Sequence, residues 1–102
     1  MFFVFLETLR KYPVLPVVAR SNIKEYKIPR TDVTLDSGAF VMVSNWGIHY
    51  DPEFYPEPEK FDPDRFLPDN KAKRPFCSYL PFGEGPRICV GELLSLNLNQ
   101  LF

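Results

Sequence analysis

Apolar residues crowd the start of the chain, where Met1-Phe2-Phe3-Val4-Phe5-Leu6 runs into Glu7-Thr8-Leu9-Arg10-Lys11 without a glycine or proline, and this predicts a helix. The helix ends before Pro13, whose ring disfavours helical geometry at Tyr12. Its nearly all-round apolar start implies burial on several sides. From Val17 to Ser44 the pattern turns to short β-prone runs: Val17-Val18-Ala19, Tyr26-Lys27-Ile28, Val33-Thr34-Leu35 and Phe40-Val41-Met42-Val43. Pro29-Arg30-Thr31-Asp32 and Asp36-Ser37-Gly38 are suitable hairpin connections, so paired strands in a small sheet are the simplest reading. A short helix is expected over Asn45 to His49, ahead of Asp51-Pro52.

Eight of the eleven prolines fall between Pro52 and Pro86, interleaved with Phe54, Tyr55, Phe61, Phe66, Phe76, Tyr79 and Phe82. That spacing excludes helix and central strand between Pro52 and Pro86, and the density of rings separates the segment from a flexible linker. An ordered irregular loop with buried rings is expected. Glu53, Glu57, Glu59 and Asp62 read as its solvated tips. After Gly91, residues 92–102 return to a helical pattern with Leu93, Leu94, Leu96, Leu98 and Leu101, which Asn97 and Asn99 weaken. The whole reads as an α+β fold, mainly α with a small β-sheet.

Composition narrows the picture. A chain of 102 residues is about one small domain, and chains this short bury only about two-thirds of the surface exposed on unfolding. An apolar fraction of 45% with ten Phe and five Tyr suits a piece of a larger core better than a free-standing domain. The formal net charge of −1 gives no general attraction for nucleic acid or an anionic membrane. Cys77 and Cys89 stand twelve positions apart, neither a zinc spacing nor a disulfide framework, and both read as reduced. The apolar opening spans six residues, lacks a charged leading region and meets Glu7 at once, so it reads as neither signal peptide nor membrane span.

The chemistry concentrates in residues 82–91, Phe82-Gly83-Glu84-Gly85-Pro86-Arg87-Ile88-Cys89-Val90-Gly91. A lone cysteine before a helix is most simply a small buried hydrophobe. Here, however, it is surrounded by glycines, an arginine and the start of an apolar helix. Those are the surroundings a thiolate metal ligand needs: positive charge, free backbone N–H groups and a helix N-terminus. Gly85 and Gly91 permit backbone approaches that a Cβ would forbid.

The spacing Phe-x-x-Gly-x-Arg-x-Cys-x-Gly, filled by Phe82, Gly85, Arg87, Cys89 and Gly91, resembles the haem-thiolate signature of the cytochrome P450 family. Glu7-Thr8-Leu9-Arg10 resembles that family's Glu-x-x-Arg helix, and Pro63-Asp64-Arg65-Phe66 its Pro-x-Arg-Phe segment. The resemblance implies haem b with Cys89 as axial ligand, Phe82 as an apolar wall and Arg87 on a propionate. It implies a structural triad of Glu7, Arg10 and Arg65, a propionate role for Arg20, and for His49, in His49-Tyr50-Asp51-Pro52, a place near a propionate or in holding its loop. A cross-strand pair of Arg20 with Glu25 is the plainer alternative. Lys71, Lys73 and Arg74 are candidates to face an acidic electron donor, with ordinary loop solubility as the alternative. Ser95, where the family usually has alanine, departs from the pattern.

By resemblance the activity is insertion of one oxygen atom from O₂ into a small apolar substrate, with electrons from NADPH through a reductase and cytochrome b5 as a further donor. Lys24 to Pro29 and the 82–87 loop look closest to microsomal insect members, which implies the cytoplasmic face of the endoplasmic reticulum and a membrane anchor outside this chain. No nucleic-acid partner is implied. The resemblance covers residues 1–102 as the C-terminal part of one domain: the Glu-x-x-Arg helix (1–12), short strands (17–44), a meander (51–81), the cysteine loop (82–91) and the start of a final helix (92–102). The family's Ala-Gly-x-Asp/Glu-Thr oxygen-binding segment does not occur, so no catalytic residue is assigned and the isolated chain is expected to be inactive. Two rivals remain: a haem-thiolate enzyme that rearranges peroxides or isomerises without a reductase, and a non-enzymatic truncated remnant.

Overall fold

The computed structural model describes residues 1–98. Helix α1 (Phe2–Lys11) stops at Tyr12, whose φ of −130° has left the helical region while its N–H still donates to Thr8 O. Pro13 follows at once. The buried residues of α1 are Glu7, Leu9 and Arg10, so the face turned inward carries an ion pair as well as a leucine.

The strands form two antiparallel pairs, one nested inside the other. Strand β1 (Val17–Ser21) pairs with β4 (Phe40–Ser44), with Val17 opposite Ser44 and Ser21 opposite Phe40. Between them β2 (Tyr26–Lys27) pairs with β3 (Thr34–Leu35). Pro29 to Asp32 makes the inner hairpin, closed by Ile28 N–H donating to Val33 O at 2.9 Å. Asp36-Ser37-Gly38 does not join paired strands, in contrast to the sequence expectation. Instead Gly38, at φ +87°, donates to Asn22 O at 2.6 Å, and Asn22 N–H donates to Ala39 O at 2.8 Å. These bonds extend the β1–β4 ladder past Ser21, so the chain leaving β3 returns to β1.

Helix α2 (Asn45–His49) follows β4 directly, capped by Ser44, whose Oγ accepts from Gly47 N–H at 3.0 Å. The proline-rich stretch contains more helix than its composition suggested: one 3₁₀ turn (Pro63–Phe66) and α3 (Pro68–Lys73). In both, proline occupies the first helical turn, where a missing N–H costs no helical bond. Asp62 caps the 3₁₀ turn, its carboxylate accepting from Asp64 N–H at 3.2 Å. Helix α4 (Glu92–Leu98) follows the cysteine loop. The expected continuation over residues 99–102, Leu101 included, lies outside the described residues. Among the described residues no helix is long and apolar enough to cross a membrane.

The core is small and partly polar, with Leu9, Tyr55, Phe66 and Leu80 beside buried Glu7, Arg10, Asn45, His49 and Ser78. The expected burial of the loop's rings holds for Tyr55 and Phe66 but not for Phe61 or Phe76, which are exposed. Arg74 lies over three rings, 4.3 Å from the Phe66 centroid, 5.4 Å from Tyr79 and 5.9 Å from Tyr55. It also donates to Arg65 O at 2.9 Å. It is therefore packed on the core rather than extended toward solvent like Lys71 and Lys73. Arg74→Ala is expected to cost about 1–2 kcal/mol in a denaturant titration, with Arg74→Lys recovering only part, because an ammonium lacks the planar fork that covers the rings.

Candidate functional site

The loop from Phe82 to Cys89 is closed on itself by Cys89 N–H donating to Phe82 O at 2.9 Å. Inside it, Ile88 N–H donates to Gly85 O at 3.1 Å. Gly83 at φ +80° and Gly85 at φ +85° supply the left-handed turns that make this closure, conformations that cost an L side chain strain. Cys89 O accepts from Glu92 N–H at 3.2 Å, which joins the loop to α4. A Cβ on Gly91 would sit 3.7 Å from Cys89 Sγ, an ordinary contact, so bulk against the sulfur alone does not require that glycine. Cys89 is exposed.

Arg20 reaches this loop from β1. Its Nη2 donates to Arg87 O at 3.2 Å, and its Nη1 to Ala19 O at 2.8 Å. Across the sheet Arg20 stands opposite Val41, so its long contact runs to the loop and not along the ladder toward Glu25. The Arg20 side chain is thereby tied to the main chain of the cysteine loop across 67 positions. The exposed apolar residues Val14 and Leu15 lie just before β1, and exposed Val17 begins it.

A second cluster lies beneath. Arg10 Nε donates to Glu7 Oε2 at 2.7 Å and Nη2 to Glu7 Oε1 at 2.8 Å, with both side chains wholly out of solvent. The remaining guanidinium donors reach His49 O and Pro58 O, each at 2.8 Å. Arg65 approaches more loosely: its Nε is 3.8 Å from Glu7 Oε1, and its hydrogen bond goes to Glu57 O at 3.0 Å. Glu7 Oε1 takes a tighter bond from Asp62 N–H, at 3.0 Å.

His49 is fully buried and stacked on Tyr79 with centroids 5.4 Å apart. Leu80 N–H donates to its Nε2 at 3.0 Å, and its Nδ1 lies 3.2 Å from Arg10 O. Both ring nitrogens are therefore spent on main chain. No donor remains for a propionate or a metal, and of the two roles implied for His49 the geometry favours holding the loop. Burial holds its pKa down at about 4, the Arg10 and Arg74 charges adding to the effect. The neutral ring is the folded form, so this group's contribution to stability is complete above about pH 6.5 and is lost as pH falls toward about 4. A denaturant titration is expected to lose up to about 1.4 kcal/mol per pH unit in that window, and His49→Gln should flatten the profile.

The sequence model described as "Cytochrome P450" matches residues 3–102. This chain belongs to the cytochrome P450 family. Its P450 relatives include "Probable cytochrome P450 6a13" of Drosophila melanogaster, 56% identical over 90 residues that make up 87% of this chain and 18% of that protein. "Cytochrome P450 6k1" of Blattella germanica is 48% identical, covering 86% of the chain and 17% of that protein. "Cytochrome P450 6B1" of Papilio polyxenes is 53% identical, covering 86% and 18%. The chain thus spans less than a fifth of the length of the curated relatives it matches. P450 proteins in general are haem-thiolate monooxygenases, and the α+β arrangement seen here is consistent with part of that fold.

Two residues of the P450 site region escaped the sequence reading. Asn45, fully buried, donates from Nδ2 to Leu80 O at 2.9 Å and Leu15 O at 3.2 Å. Its only sequence signal was the i, i+4 spacing to His49 on a short helix. Tyr79, whose hydroxyl donates to Leu6 O at 2.9 Å, ties the loop to α1 across 73 positions, a contact that no local pattern announces.

Proposed function

We propose that this chain supplies the proximal cysteine loop of a haem-thiolate monooxygenase. The observation that carries the reading is the Phe82–Cys89 loop, closed by its own backbone bond around two left-handed glycines, presenting an exposed cysteine and bonded by Arg20 at the Arg87 carbonyl. This donor set fits haem: one soft sulfur for iron, two guanidinium groups for propionates and the Phe82 ring for the macrocycle face. Bound haem would supply reductive activation of O₂ and transfer of one oxygen atom to an apolar substrate. Cys89 would supply the thiolate that holds the iron, and the closed loop sets the backbone from which its sulfur projects. Arg20 and Arg87 would hold the group by its carboxylates, an interaction strengthened by charge on both partners. Gly85 supplies the left-handed turn that closes the loop, and Val14, Leu15 and Val17 offer apolar contact to substrate. Glu7, Arg10, Arg65 and His49 hold the scaffold beneath.

Family membership supports electron delivery from NADPH through a reductase, with cytochrome b5 as a second donor, and residence at the endoplasmic reticulum. The test uses the whole protein that carries this chain, loaded with haem and reconstituted with a reductase. NADPH-dependent incorporation of one labelled oxygen atom from O₂ into an apolar compound is expected. Turnover of a peroxide without NADPH, and none with it, would establish the reductase-independent alternative instead.

A further inference from the structure

Both main-chain polar groups of Leu80 are gripped by α2. Leu80 N–H donates to His49 Nε2 at 3.0 Å, and Leu80 O accepts from Asn45 Nδ2 at 2.9 Å. Asn45 and His49 stand four residues apart, hence on one helical face, and neither is accessible to solvent. Their chemistry allows only one arrangement. A backbone N–H can only donate, so His49 Nε2 is an acceptor and the ring proton sits on Nδ1, facing Arg10 O at 3.2 Å. Asn45 cannot be flipped either, because that would set Oδ1 against the carbonyls of Leu15 and Leu80. Asn45 Oδ1 is itself buried without a hydrogen-bond partner, a cost that a purely space-filling residue would not carry. Two residues beyond Leu80, Phe82 O receives the N–H of Cys89. Leu80 is therefore the fixed point from which the cysteine loop departs.

We propose that Asn45 and His49 form a positioning clamp for the cysteine loop, and that protonation of His49 opens it. The proposal rests on reading Cys89 as the haem ligand. A protonated imidazole carries N–H on both nitrogens, so the Nε2 proton meets the Leu80 N–H, donor against donor. The groups around the ring are Glu7 and Arg10 from α1 and Tyr55, Arg74 and Tyr79 from the proline-rich loop. The one carboxylate among them, Glu7, favours an imidazolium, but it is held by Arg10 through two hydrogen bonds, and burial together with the Arg10 and Arg74 charges outweighs it. Protonation leaves the Leu80 N–H without its acceptor, while Leu80 O keeps Asn45 Nδ2 and Gly83 N–H, and the loosened Leu80 backbone frees the start of the cysteine loop.

The experiment uses the haem-loaded whole protein and two readouts, hydrogen exchange at the Leu80 and Cys89 amides and the thiolate-type Soret band of the reduced carbon monoxide form, followed from neutral pH to below about 4, where the folded-state ring takes its proton. His49→Phe keeps a ring against Tyr79 but removes the acceptor. It is expected to speed Leu80 exchange by roughly tenfold or more and to diminish the thiolate band at neutral pH. Asn45→Ala should move both readouts in the same direction. His49→Gln, whose Oε1 accepts a hydrogen bond and does not titrate, should keep the band at neutral pH and remove its acid-side loss. If His49→Phe does not fold, the pH profiles of the parent and of His49→Gln decide, and identical profiles overturn the proposal. It is also overturned if His49→Phe lowers Tm while leaving both readouts unchanged. Cys89→Ser run in parallel separates the two claims: a surviving thiolate band would defeat the ligand reading, whereas Leu80 exchange judges the clamp without reference to the ligand.

Discussion

Arg10→Ala is expected to destabilise the protein by about 3–5 kcal/mol, the range seen when one partner of a buried ion pair is removed. The guanidinium makes two bonds to Glu7 and reaches the carbonyls of His49 and Pro58, all with donor–acceptor distances of 2.7–2.8 Å. It also packs over Tyr55 and Tyr50, 5.3 and 5.6 Å from their centroids. Without it, a carboxylate with no solvent exposure keeps only the Asp62 N–H and a guanidinium nitrogen 3.8 Å away. Arg10→Lys should recover little, since an ammonium cannot serve a bidentate carboxylate and two divergent carbonyls together. Equilibrium denaturation of the protein that carries this chain measures the loss. A cost below about 1 kcal/mol would mean that Arg65 takes over the pairing and that Glu7 and Arg10 are not the centre of the scaffold.

Cys89→Ser is expected to abolish the thiolate-type Soret band of the reduced carbon monoxide form entirely, because a serine hydroxyl does not ionise near neutral pH and offers no soft donor. Cys77→Ser should leave that band in place. Cys77 sits at φ +62° in the turn before Ser78, outside the closed loop that contains Cys89. If Cys77→Ser were the damaging change, the ligand assignment would have to move to the proline-rich loop.

The two cysteine environments differ in a way that the sequence displayed, whereas much of the scaffold was hidden in it. Helix α1 was legible because nothing before Pro13 interrupts it, and the β2–β3 hairpin because Pro29 to Asp32 is local turn chemistry. The β1–β4 pairing was not, since it joins strands about twenty residues apart through the backbone of Asn22, and polar backbone leaves no periodic trace. Helix α3 was obscured by the prolines around it, although Pro68 followed by Asp69 is an N-terminal helix signal. Arg74 looked like a surface charge and proved to cover Phe66, because a guanidinium stacks on rings as readily as it meets solvent. At the candidate site, residues 82–91 were read from spacing alone. The convergence of Arg20 on Arg87 depends on how the nested strands lie against the loop. The grip of Asn45 and His49 on Leu80 depends on main-chain atoms, which every residue carries and no sequence pattern marks.

The most direct test of the central claim is iron K-edge X-ray absorption on the haem-loaded protein. Cys89 as axial ligand predicts a single sulfur scatterer in the first shell of the iron, lost in Cys89→Ser and retained in Cys77→Ser. A first shell of nitrogen and oxygen alone in the parent protein would contradict it.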